Sequence, residues 1–84
     1  MERYRIVFKR SVAKDLRAIP GKDVARILKV FDRLAEDPRG PGSDKLSSLE
    51  RYRVRKGTYR IVYEVRDEER LVVVVKVAHR RDVY

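Results

Sequence analysis

Apolar and polar positions alternate near the start of the chain, recur at three-four spacing through its middle and alternate again after residue 50. Tyr4, Ile6 and Phe8 against Arg5 and Val7 predict a half-buried strand over 4–8. Val12, Leu16 and Ile19 lie one helical turn apart, with Ser11 placed to cap that helix and Pro20-Gly21 placed to end it. Val24, Ile27, Leu28, Phe31, Leu34 and Ala35 carry the same periodicity on to residue 36, so two antiparallel helices joined by a tight turn are expected. Asp37 to Ser43 holds Pro38, Gly40, Pro41 and Gly42 and reads as a loop. Leu46 and Leu49 are expected to pin the chain back onto the core. Three strands follow at about 51–56, 59–65 and 71–79, joined by a hairpin turn at Lys56-Gly57-Thr58 and a longer charged turn over Arg66 to Arg70. Leu71 to Ala78 is apolar on both faces apart from Lys76, which predicts a central strand covered by the helix pair on one side.

The order β-α-α-β-β-β makes an α+β fold, a helical hairpin packed on a small antiparallel-rich sheet. The 84 residues form one domain, 1–84, because a chain of this length buries only about 60% of its unfolded surface and has nothing left for a second core. Any active site is therefore shallow.

Charge changes the picture. The chain is 42% charged with a net charge of +9, an excess that predicts a polyanionic partner. Nucleic acid comes first, an acidic protein second and an anionic membrane third, since no segment pairs a large apolar face with a lysine-rich one. There is no cysteine and one histidine, so disulfides and thiolate metal sites are excluded and a metal-dependent reaction is not expected. No signal peptide or membrane-length apolar run is present, and a cytoplasmic protein is expected.

The candidate chemistry lies in the last third. Arg53 and Arg55 share one face of their strand, and Arg60 on the next strand falls to the same side, because the opposite assignment would bury a guanidinium at a cost of several kcal/mol, by order of magnitude. Lys76 and Arg80 share a parity on the last strand and can join this surface, while Val73, Val75, Val77 and His79 share the other parity. Lys56 and Arg81 add cations at its margins. Guanidinium grips phosphate bidentately and keeps its charge, but it moves protons poorly. Proton transfer would fall to His79, the one imidazole, whose class titrates near neutral pH, or to the phenol of Tyr84, which can also stack on a base. Nucleotide or peptide hydrolysis is set aside for want of a Gly-rich phosphate loop or a Ser-His-Asp order.

Tyr52-Arg53-Val54-Arg55-Lys56-Gly57-Thr58-Tyr59-Arg60-Ile61-Val62-Tyr63 followed by His79-Arg80-Arg81-Asp82-Val83-Tyr84, with the opening strand and the Pro-Gly helical hairpin, resembles the RelE/ParE superfamily of toxin-antitoxin toxins along essentially the whole chain. The RelE branch implies a small mRNA interferase, a metal-independent endoribonuclease with no cofactor, that enters the A site of a 70S-type ribosome, cleaves mRNA by 2′-hydroxyl attack and inhibits translation. It also implies a cognate antitoxin and a toxin–antitoxin hetero-oligomer. Carried over by position, Arg53, Arg55, Arg60, Arg80 and Tyr84 match the branch's catalytic set. Arginine stands at 53 and 55 where well-studied members carry lysine, so the general base is left open between these two, His79 and Tyr84. Two other functions fit the same resemblance: a non-enzymatic DNA gyrase inhibitor of the ParE branch, and an inactive basic binding module.

Overall fold

The computed structural model describes residues 3–46 and 50–79. Over them the chain runs β1 (Arg5–Phe8), α1 (Arg10–Arg17), α2 (Gly21–Glu36), β2 (Ser43–Lys45), β3 (Arg51–Lys56), β4 (Tyr59–Arg66) and β5 (Leu71–His79). The expected α+β architecture is present with one added strand, β2, inside and just after the segment read as a loop. Its three residues are too few to show a period, and pairing on β3 defines it, with Asp44 opposite Arg53 and Lys45 opposite Tyr52. Two local signals also resolve differently. Ser11 does not cap α1: Lys9 is the cap residue and makes no side-chain cap bond. The Lys9 N–H donates to the Val74 carbonyl at 3.0 Å, so the chain turns into the helix straight from the strand end, one residue before Ser11. Pro20 opens α2 as well as closing α1, its carbonyl accepting from the N–H groups of Asp23 and Val24 at 2.9 and 3.0 Å.

The sheet order is β1-β5-β4-β3-β2, with β1 parallel to β5 and every other pair antiparallel. β5 is interior, between β1 and β4, and β4 holds the middle place. The β4–β5 ladder passes from Val62↔Lys76 to Tyr63↔Val74 and leaves Val75 without a partner. This is a β-bulge, and one extra residue inverts the facing of everything beyond it. Val73 therefore does not share a face with Val77 and His79, as uninterrupted alternation would have it; Val72 and Val74 take that place.

Both helices lie on the face carrying Tyr52, Val54, Ile61, Tyr63, Val65, Val72, Val74 and Val77, which join Val12, Ile27, Val30, Phe31 and Leu34 in one core. Leu46 is half-buried, its N–H on the Arg51 carbonyl at 2.9 Å, whereas Leu49 lies outside the described residues. The loop before β2 is held from beneath, where the buried Tyr63 hydroxyl donates to the Pro38 carbonyl at 2.6 Å. It is held from above by Arg39, which donates to both carboxylate oxygens of Asp67 at 2.9 and 2.8 Å, to the Tyr52 hydroxyl at 2.8 Å and to Glu50. No described helix covers the other face of the sheet. Its floor is the nearly buried set Val62, Leu71, Val73 and Ala78.

Candidate phosphate-binding face

The uncovered face carries the arginines because cross-strand partners in an antiparallel ladder project to the same side. Arg55 is directly opposite Arg60, Arg53 is opposite Val62, Arg60 is opposite Ala78, and Val62 is opposite Lys76. Arg53, Arg55 and Arg60 thus form a triangle, with Arg55 and Arg60 as nearest cross-strand neighbours and Arg53 two residues along β3. Like charges placed directly opposite are destabilising, so folding alone gives no reason for the pairing.

Acidic groups reach only part of this face. Arg53 pairs with Asp44 at 3.5 Å, and Glu64 takes Arg51 on one oxygen and Arg66 on the other, the latter at 3.3 Å. The Arg51 guanidinium, with a smaller contribution from Arg66, holds the Glu64 carboxyl below the usual carboxylate range. Arg55 and Arg60 make no ion pair or side-chain hydrogen bond among the described residues. The Nε–H groups of Arg51, Arg53 and Arg60 are shielded from solvent and meet no acceptor there. A desolvated charged donor without an acceptor is costly; the terminal guanidinium nitrogens of the triangle are the donors a phosphate laid across it would meet, in charge-assisted bonds.

The other sequence-predicted residues divide between places. Lys76 is on the same face, but its ammonium turns toward the sheet edge and pairs with Asp15 of α1 at 3.2 Å. The second Asp15 oxygen accepts the Val77 N–H at 3.3 Å, closing the stretch of β5 that β1 no longer reaches. Lys56 falls on the helix side, in a groove of about 360 Å³ lined by Asp23, Arg26, Ile27, Gly57, Thr58 and Tyr59. His79 is also on the helix side. It stands opposite Tyr59 in the ladder, and the two rings meet edge to face at 5.7 Å. With Asp15, Ala18 and Ile19 they line a cleft of about 270 Å³. The sheet therefore stands between the imidazole and the arginine triangle. Arg80, Arg81 and Tyr84 lie outside the described residues.

Arg51, Glu64 and Asp44 complete the face. Arg51 shows the same parity as Arg53 and Arg55, so its signal was present. Glu64 was legible as a parity mate of Arg60, though nothing marked it as the partner of Arg51. Asp44 had no signal, since its strand is defined only by pairing. Among the described residues no group of three or more His, Cys, Asp or Glu side chains could hold a metal ion, and no helix is long and apolar enough to cross a membrane.

Comparison with known proteins follows the same outline. The family model described as the ParE toxin of the type II toxin-antitoxin system parDE matches residues 6–84. Toxin RelG of Mycobacterium tuberculosis is 31% identical over 83 residues, covering 96% of this chain and 95% of that one. Among solved structures, the toxin–antitoxin complex RelBE2 of M. tuberculosis contains a chain 28% identical that superposes with a TM-score of 0.83 over 94% of this chain and 93% of its own. The archaeal RelE–RelB complex of Pyrococcus horikoshii contains one 25% identical with a TM-score of 0.80, over 92% and 94%.

Proposed function

This chain belongs to the RelE/ParE superfamily of type II toxin-antitoxin toxins, and from that premise we propose that it is an endoribonuclease that cleaves mRNA in the ribosomal A site and so inhibits translation in the cytoplasm. The observation that carries the reading is the triangle of Arg53, Arg55 and Arg60 on the uncovered face, with Arg55 and Arg60 opposed in register and unpaired by acid among the described residues.

In the proposed reaction the ribose 2′-oxygen attacks the adjacent phosphorus and the bond to the 5′-oxygen of the next nucleotide breaks. The products are a 2′,3′-cyclic phosphate and a free 5′-hydroxyl. The 2′-hydroxyl proton passes to a base on the protein, and an acid returns one to the leaving oxygen, so no water or metal is consumed. Guanidiniums fixed on a sheet stabilise the phosphorane as negative charge builds on it, because they need no reorganisation at that moment. Arginine is a poor base, and His79 faces the helices. We therefore assign proton transfer to Tyr84, with Arg80 beside the leaving oxygen, and keep His79 as the competing assignment.

The two solved relatives named above come from toxin–antitoxin complexes, and an antitoxin is the partner we assign, its acidic groups laid over the same arginines in a hetero-oligomer. A second reading, a non-catalytic DNA gyrase inhibitor, draws on the family model, which bears the ParE name. Inducing the protein in cells and mapping mRNA ends and DNA topology separates the two, with Arg80→Ala and Tyr84→Phe as controls. New mRNA ends that disappear in both variants are expected. Intact mRNA with altered supercoiling would select the gyrase reading, and unimpaired growth would select an inactive binding module.

A further inference from the structure

A second basic surface lies on the far side of the molecule from the arginine triangle. Lys22, Arg26, Lys29 and Arg33 of α2 are all exposed, and their spacing of four, three and four residues aligns them along one stripe. The stripe is opposite Ile27, Phe31 and Leu34, which face the core. At 1.5 Å per residue it is roughly 16 Å long, with successive cations about 6, 4.5 and 6 Å apart along the axis. On α1, Arg10, Lys14 and Arg17 repeat the arrangement and are also exposed.

Among these cations only Lys14, Arg17 and Arg33, in the last turns, are placed where the helix dipole favours a positive charge. Lys22 with Arg26, Lys29 with Arg33, and Arg10 with Lys14 are like-charge pairs at i,i+4, each of them unfavourable. Arg10 opens α1, whose first turn holds no acid, and Lys22 sits in the first turn of α2, where the helix dipole disfavours a cation. Of the three acids of α2, Asp32 and Glu36 stand three residues after Lys29 and Arg33 but form no ion pair with them among the described residues. Asp23 pairs with Arg26 at 3.9 Å and Glu36 with Arg3 at 3.7 Å. Lys22, Lys29 and Arg33 form no ion pair among the described residues. A solvated helix face gains by alternating its signs, whereas a rigid line of one sign is what a polyphosphate backbone complements.

We propose that the α2 stripe, extended by α1, is a binding surface for the backbone of duplex RNA, separate from the site on the sheet. The choice of RNA over other polyanions rests on the function proposed above; the surface itself does not. Double-stranded DNA carries one negative charge per about 1.7 Å of axis and a duplex of RNA is at least as dense, so a 16 Å stripe faces enough phosphates to engage all four cations. Since the sheet lies between the two surfaces, a duplex on the helices leaves the arginine triangle open to a single strand.

The test is fluorescence anisotropy with a blunt 20-base-pair RNA duplex, which offers no single strand, across a salt series. Wild type is compared with the K22Q/R26Q/K29Q/R33Q variant and with R55A/R60A. Glutamine is a good helix former, so the stripe variant should melt at the wild-type temperature or above. We expect its affinity at about 0.1 M salt to fall at least about tenfold and its log–log salt slope to become shallower by about 3 to 4, near 0.9 for each phosphate no longer neutralised. R55A/R60A should bind the duplex as wild type does. Duplex affinity and slope unchanged in the stripe variant would overturn the proposal. So would an equal loss in R55A/R60A, or a preference for DNA duplex of the same sequence. Duplex binding retained while antitoxin binding falls would also overturn it, and would make the stripe a protein interface. Because binding is read without cleavage, failure here is distinct from failure of the nuclease reading.

Discussion

Arg55 and Arg60 stand directly opposite each other across β3 and β4, on the face of the sheet that no described helix covers. Two guanidiniums held at cross-strand distance repel, and a residue kept in such a place serves something other than folding. Replacing Arg60 with alanine should therefore leave the melting temperature within a few degrees of wild type, or raise it, while weakening the binding of single-stranded RNA at least about tenfold, about 1.4 kcal/mol. Calorimetry and anisotropy on the same preparation check both halves. A large fall in melting temperature would make Arg60 a structural residue.

Arg39 has the opposite character. Its bonds to Asp67, Tyr52 and Glu50 join the loop before β2, the start of β3 and the β4–β5 turn, and Tyr4 adds a 2.6 Å bond from its hydroxyl to the same Asp67. Arg39→Ala should destabilise by about 2 kcal/mol, the scale of a hydrogen bond to a charged group, or about 8–16 °C in a domain of this size. Arg39→Lys should recover only part of the loss, since an ammonium cannot grip both oxygens of Asp67 and Tyr52 together. Thermal unfolding followed by circular dichroism measures each.

The same cluster sets an acid limit. Asp67 is held down to about 2, chiefly by Arg39 and then Tyr4, and Glu50 to about 2, chiefly by Lys45 and then Arg39. In the unfolded chain these groups titrate near 3.9 and 4.3, so between those values and about 2 the unfolded state binds more protons and stability rises with pH. The contribution is fully present above about pH 5 and is lost as pH falls toward about 2. The melting temperature of the wild type should fall through this window, and that of Arg39→Ala should fall less steeply. Parallel curves would remove Arg39 as the cause.

Tyr63 is fully buried beneath the loop, and burial pushes its phenol up to about 12. Tyr63→Phe keeps the ring, and its stacking on Tyr52 at 5.8 Å, but leaves the Pro38 carbonyl without its donor. The expected loss is about 1–3 kcal/mol, read from denaturant unfolding with an unchanged slope. A neutral result would mean that solvent replaces the hydroxyl.

How much of this could be read beforehand follows from which interactions are local. The strands at 51–56 and 59–65 were legible because Arg53 and Arg55 alternate with Tyr52 and Val54, and Arg60 with Ile61, so the triangle came with the parity. The bulge at Val75 was not. Leu71 to Val75 is apolar at every position, and a run without alternation carries no phase to show where one residue is skipped. β2 is too short to have a period, and with it Asp44 was lost from the site. The Arg39 cluster joins residues 28 apart along the chain, a relation no spacing rule reports. The placement of His79 on the helix side was implied by its parity, and the contact with Tyr59 makes plain that this parity separates it from the arginines.

The most direct test of the central claim uses purified protein, translating ribosomes and a defined mRNA in two forms, one all-ribose and one with a single 2′-deoxynucleotide at the A-site position where cleavage is observed. The all-ribose message should be cut to a 2′,3′-cyclic phosphate and a 5′-hydroxyl, the deoxy message should survive, and Arg60→Ala should spare both. Cleavage of the deoxy message at the same bond, or an intact all-ribose message while the same protein inhibits DNA gyrase, would contradict it.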